Sequence, residues 1–158
     1  MTRPTIGESI DHVVGRVTAG VVDWLVRGIL AAPFVISPLG RFADGEQTGA
    51  DIVAVQLVFG VVFVAMGAMQ GRLGWTPGRW LVRHRVIAAD RADDERMPPG
   101  VRTGIVRTVP SLIALLFLWA GPISIVLAVA NLAYIIWDSE NRSVHDRTAN
   151  TLVITVRR

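Results

Sequence analysis

Polar and apolar residues along this chain separate into long blocks. Residues 52–69 and 108–137 contain no Asp, Glu, Lys or Arg, and uncharged apolar stretches of about 18 residues or more mark helices that cross a bilayer. The run IVAVQLVFGVVFVAMGAMQG predicts a span over 52–71. An earlier run, RVTAGVVDWLVRGILAAPF, predicts a span over 16–37, with Pro33 and Pro38 marking its kink or stop. Between them, LGRFADGEQTGAD (39–51) reads as an exposed loop. The third apolar region, 109–137, is interrupted at Gly121-Pro122. As one helix it would be about 43 Å long, more than the roughly 30 Å hydrocarbon core and less than two full crossings.

The polar blocks arbitrate. Residues 72–107 hold eight Arg in 36 positions, and the tail from 138 onward holds four. Arg-rich segments beside membrane helices stay in the cytoplasm. Both segments share that side if the third region enters and returns as two short helices, 108–120 and 122–137; one long tilted helix is the alternative. Gly67 and Gly71 form a small-xxx-small pair suited to close helix approach. Within the Arg-rich loop, WTPGRWLV reads as a helix start, with Thr76 as cap and Pro77 in the first turn. RHRVIA (83–88) and TLVITVRR at the end alternate like strands, and an antiparallel pairing on the cytoplasmic face would satisfy both edges. The expected fold class is all-α: one domain over 1–158, a polytopic transmembrane helical bundle of three to four membrane helices with a small cytoplasmic β-pair and both termini inside.

Composition agrees with a membrane-embedded chain, since 51% of residues are hydrophobic and the mean hydropathy is +0.46. All sixteen basic residues are Arg, so the pI near 10.9 accompanies a net charge of only +3. Their placement beside apolar runs argues against nucleic acid as a partner. Without Cys there is no disulfide or thiolate metal site. The chain shows no nucleophile elbow, phosphate loop or metal-ligand spacing, so no enzyme activity, cofactor or metal is expected.

The first span carries charge. At about 100° per residue, Arg16 and Arg27 fall at roughly +20° and +40° from Asp23. All three share a narrow stripe, with Gly20 between them and His12 extending it. Asp and Arg at a helix centre cost roughly 2.5–3.5 kcal/mol each, against about 0.3–0.6 kcal/mol returned by each Leu, Ile, Val or Phe. The stripe therefore cannot face lipid. Either Asp23 sits in a cavity and handles a cation or proton, tuned by Arg16 and Arg27, or the stripe is an internal ion-pair network that includes an Asp23–Arg27 pair. Near the end, His145, Asp146 and Arg147 follow the last apolar run. A lone His beside Asp is not a metal site, and Asp146 suits a turn cap or an Arg partner.

These segments together resemble the RDD family of bacterial membrane proteins. RVTAGVVDWLV is similar to the family's first helix, GWTPGRWLVRHRVI to its central element, and SVHDRTANTLVI to its closing H-D-x-x-A-G-T-x-V-V. The resemblance covers roughly 12–156 and makes Arg16, Asp23 and Asp146 the signature residues; Arg27, this chain's own addition, and His145 stand as supporting residues. Asn150 stands where the family usually has Gly, and Asn tolerates the left-handed backbone such a turn needs. The resemblance implies a multi-pass protein of the bacterial plasma membrane in contact with lipid, as a homo-oligomer or with a partner subunit. It also implies transport of a small ligand or cation/proton exchange. The alternative is a non-catalytic assembly or interaction protein that docks a partner through its charged stripe or cytoplasmic face.

Overall fold

The computed structural model describes residues 6–91, 97–116, 122–138 and 140–156. Helix α1 runs from Ile6 to Ala43 and α2 from Gly49 to Leu73. Both are long and apolar enough to cross a membrane, with hydropathies of 1.7 over Asp11–Ala43 and 2.4 over Gly49–Leu73. Then come α3 (Pro77–Leu81), strand β1 (His84–Ala88), a 3-10 turn at Ala89–Arg91, α4 (Val101–Leu116), α5 (Pro122–Trp137), α6 (Val144–Thr148) and strand β2 (Thr151–Thr155). The chain is thus mostly helical with one two-stranded sheet.

The α1–α2 turn is short because α2 starts decisively. Thr48 and Asp51 form a reciprocal capping box, satisfying two amide N–H groups that a helix start otherwise leaves free. Arg41, in the last turn of α1, donates from Nε to both Asp51 carboxylate oxygens at 3.0 and 3.1 Å. Further along, Ala31 and Val35 bury against Val55, and the Arg27 guanidinium lies 4.2 Å from the Phe63 ring centroid. These contacts fix an antiparallel hairpin in which each step back along α1 matches a step forward along α2. The end of α2 therefore lies level with about residue 17 of α1, and α1 projects beyond it by roughly 18 Å.

A polar cap of α3, the sheet and α6 packs on that projection and on the α1 turns next to it, as far as Asp23. Strands β1 and β2 pair antiparallel, from His84 opposite Thr155 to Ala88 opposite Thr151. Val86 and Ile87 of β1 are fully buried. Asn150 enters β2 at φ 49°, and its carbonyl accepts the Ala89 N–H at 2.9 Å. Helix α4 begins in the cap and packs on α2 through glycine. A Cβ on Gly104 would lie 2.1 Å from the Gly67 carbonyl oxygen, and one on Gly71 would lie 2.3 Å from that of Gly100. Gly67 and Gly71 are thus one half of a seam whose other half, Gly100 and Gly104, belongs to α4.

Several sequence expectations change. Proline stops neither turn of α1: the helix passes Pro33 and Pro38 and ends at Ala43, since a lost N–H is tolerated where neighbouring helices pack against it. Most of the expected 39–51 loop is consequently helical, leaving only 44–48 as connection. The third apolar region begins earlier, because α4 starts at Val101 and takes in Arg102 and Arg107. The expected bend at Gly121-Pro122 and the end of the 108–120 span fall partly outside the described residues. Gly20 is not on the packed stripe: nothing lies within 4 Å of its Cβ position, and Ala19, 2% exposed, takes that place.

Candidate functional site

The polar residues of the cap converge on Asp146. It is the third residue of α6, where it forms a capping box with Ser143, and it is 0% exposed. Its Oδ2 accepts Arg16 Nη1 at 2.7 Å, the Ser143 N–H at 2.8 Å and the Ser143 hydroxyl at 2.7 Å. Its Oδ1 accepts Arg107 Nη2 and, at 3.4 Å, the Thr151 hydroxyl. Burial by itself would raise the Asp146 carboxyl pKa. Arg107, Arg16 and Arg79, with the Ser143 hydrogen bond, outweigh it and hold the group well below the usual carboxylate range.

Each guanidinium is held by its own element. Arg16, on the projecting part of α1, also donates from Nε to His12 Nε2 at 3.0 Å, so that ring nitrogen is an acceptor. Arg107, 3% exposed and one turn beyond Gly104, donates from Nη1 to Gln70 at 3.5 Å. The glycine seam brings α4 close enough for this reach. Burial, then Arg107, lowers the His145 pKa to about 4, so its ring is neutral at pH 7, with Nε2 2.8 Å from the Ser111 hydroxyl. Burial, then the neighbouring His12, likewise lowers His84 to about 4, and the His12 and His84 rings lie 4.9 Å apart.

Asp23 belongs to a second cluster. Its Oδ2 accepts the Thr76 hydroxyl at 2.5 Å and its Oδ1 the Gly78 N–H at 2.8 Å. Thr76 is the N-cap of α3, yet its side chain makes no cap hydrogen bond of its own. The carboxylate on α1 supplies that acceptor instead, at the helix end where negative charge is favoured. Gly78 permits the approach, as a Cβ there would lie 2.1 Å from the Ala19 carbonyl oxygen. The expected Asp23–Arg27 pair does not form: Arg27 covers Phe63 and its Nε is buried without a hydrogen-bond partner.

The structure therefore brings Arg16 and Asp146 into one ion pair across 130 residues of sequence, with His145 beside them. Asp23 and Arg27 have other partners. Arg107 and Ser143 escaped the sequence reading, although Ser143-Val-His-Asp146 is a capping-box spacing that could have been found. A further hub is Asp138, whose Oδ1 takes Arg147 and whose Oδ2 takes the N–H groups of Glu140 and Arg142 at 3.1 and 2.8 Å. Among the described residues, no three His, Asp or Glu side chains gather as a metal-binding group.

No curated protein and no solved structure matches the chain. The family model described as RDD family matches residues 11–150. The chain that carries the Arg16–Asp146 pair and two bilayer-length helices is thus a membrane protein and belongs to the RDD family.

Proposed function

We propose that this is a non-catalytic, multi-pass protein of the bacterial plasma membrane that acts by assembly, presenting a rigid cytoplasmic cap on a four-helix membrane base. The carrying observation is the state of Asp23: it is 5% exposed and each carboxylate oxygen accepts a hydrogen bond from the start of α3, so the group serves as the acceptor that caps that helix. Asp146 is likewise enclosed by five donors. These arrangements support the interaction reading over cation/proton exchange, the other function that family resemblance suggests. The exposed faces of α1 and α2 meet lipid, or the matching face of another subunit. Trp80, 66% exposed on α3, suits the headgroup layer, where tryptophan is favoured.

Topology follows from the cap. Helix α4 starts beside Gly71, and α5 runs into the segment that places α6 against α4. Both ends of the third apolar region therefore point to the same side, which supports two short returning helices over one tilted span. The Arg-rich segments share that side and favour a cytoplasmic cap.

The test is reconstitution into liposomes loaded with a pH-sensitive dye. No cation-dependent proton flux is expected from the parent. Asp23→Asn, which can still accept the Gly78 N–H, should fold, whereas Asp23→Ala should expose the α3 segment to trypsin at Arg79 and Arg83. Cation-dependent flux that Asp23→Asn abolishes at unchanged folded yield would establish the transport reading instead.

A further inference from the structure

The polar core contains more positive charge than its carboxylates balance. Arg16 and Arg107 pair with Asp146 from two helices, and Arg79 on α3 is near enough to feel the charges of all three, while the Asp23 carboxylate is engaged with Thr76 and Gly78. Three guanidiniums against these two carboxylates leave one positive charge, and Arg27 near Asp23 adds another. His84 and His145 are neutral at pH 7 and offset nothing. Among the described residues, the buried nitrogens without a hydrogen-bond partner include Arg16 Nη2 and Arg79 Nη1, along with Arg27 Nε. The Arg16 side chain is 5% exposed, so its free N–H cannot simply turn to solvent.

The Arg16 and Arg79 donors belong to neighbouring positions. Arg79 directly follows Gly78, whose backbone abuts Ala19, and Ala19 lies one turn from Arg16 on α1. Arg79 feels the charges of Arg107, Asp146, Arg16 and Asp23. A buried, hydrogen-bond-donating, net positive locus calls for an anion, because an unmade charged hydrogen bond is among the costliest defects of a protein interior. Guanidiniums approaching from separate helices match a tetrahedral oxyanion, whose several oxygens accept forked N–H pairs.

We propose that Arg16 and Arg79 form a phosphate-binding site at the capped end of the bundle, with Arg107 supplying further positive charge. The ligand is a phosphate oxyanion, either free or the headgroup of an anionic lipid; the site lies where α1 leaves the bilayer, within reach of either. Its occupancy stands apart from whether the protein acts by assembly.

The full-length protein, purified in a non-ionic detergent and freed of phospholipid, is melted with inorganic phosphate against chloride at equal ionic strength. A second arm uses short-chain phosphatidic acid against phosphatidylcholine. The expected result is a saturable rise in Tm of several degrees with phosphate, phosphatidic acid or both. A response to phosphate identifies a soluble ligand, and a response to phosphatidic acid alone identifies a lipid headgroup. Arg79→Gln should remove the rise, while its ligand-free Tm equals or exceeds that of the parent, because an unpartnered buried cation is gone. Arg79→Lys, which keeps the charge but loses the fork, should weaken binding by about tenfold. A parent indifferent to both ligands overturns the proposal. So does an Arg79→Gln protein that keeps the rise or loses equal stability with and without ligand, and so does an Arg79→Lys protein with unchanged affinity.

Discussion

Replacing Asp146 by Asn isolates the charge at the centre of the cap. The amide is the same size and can still accept the Ser143 N–H, so the α6 cap survives in part. What disappears is the negative charge between Arg16 and Arg107, whose side chains are 5% and 4% exposed. Removing one member of a buried ion pair costs about 3–5 kcal/mol, since the remaining charge is neither solvated nor neutralised. For a chain of this size each kcal/mol moves Tm by about 2–4 °C, so the fall should be roughly 6–20 °C. Asp138→Asn is the comparison, because it removes the same charge from a buried cap residue whose partners, Arg147 and Arg142, are 49% and 18% exposed. Partners that reach solvent recover part of their hydration, so the expected loss is smaller than for Asp146→Asn. Both variants are melted in detergent and followed by tryptophan fluorescence and helical circular dichroism. Adding Arg107→Gln to Asp146→Asn should recover part of the loss, because one orphaned cation goes with it. An Asp146→Asn protein that melts with the parent, or an Asp138→Asn protein that falls as far, would refute the enclosed-ion account.

Two further outcomes are measurable in the same melts. Gly104→Ala places a methyl group 2.1 Å from the Gly67 carbonyl oxygen and should cost about 1–3 kcal/mol by forcing α2 and α4 apart. Gly20→Ala meets nothing within 4 Å and should be neutral or stabilising by roughly 0.5–1 kcal/mol through helix propensity; equal effects would remove the seam from the account. Stability should also fall as pH drops from 6.5 toward 4. His84 and His145 take up protons in the unfolded chain near 6.5 but in the fold only near 4, so the unfolded state binds more protons across that window. A flat Tm from pH 7.5 to 5, or a slope untouched by substituting either histidine with Asn, would contradict it.

The blocks of apolar residues, the β-pair and the α3 start were legible because each depends on local pattern: uncharged runs, alternation, and Thr-Pro at a helix start. The first helix misled in an instructive way. Helical arithmetic placed Arg16 and Asp23 correctly on its inward face, yet Asp23→Arg27 spacing suggested a partner that tertiary contact overrode. Asp23 finds α3 because the chain turns back onto α1 directly after α2 ends at Leu73, and no window within α1 contains that turn. Arg107 was hidden for a similar reason, reading as one more flanking Arg until the glycine seam pressed α4 onto α2. Pro33 and Pro38 suggest a kink or a stop on local grounds, and packing against neighbouring helices carries α1 past both.

The pairing of Arg16 with Asp146 has a temporal side. During synthesis the first helix emerges with its guanidinium already in place, and the carboxylate that answers it is translated 130 residues later. Until then the cap cannot close, and Arg107 waits with the same vacancy. Closure therefore reports that the segment from the first helix to α6 has been made and threaded with the right topology. A product truncated before the last short helix would display two uncompensated cations at the membrane surface, a ready mark by which a membrane protease could tell unfinished copies from finished ones.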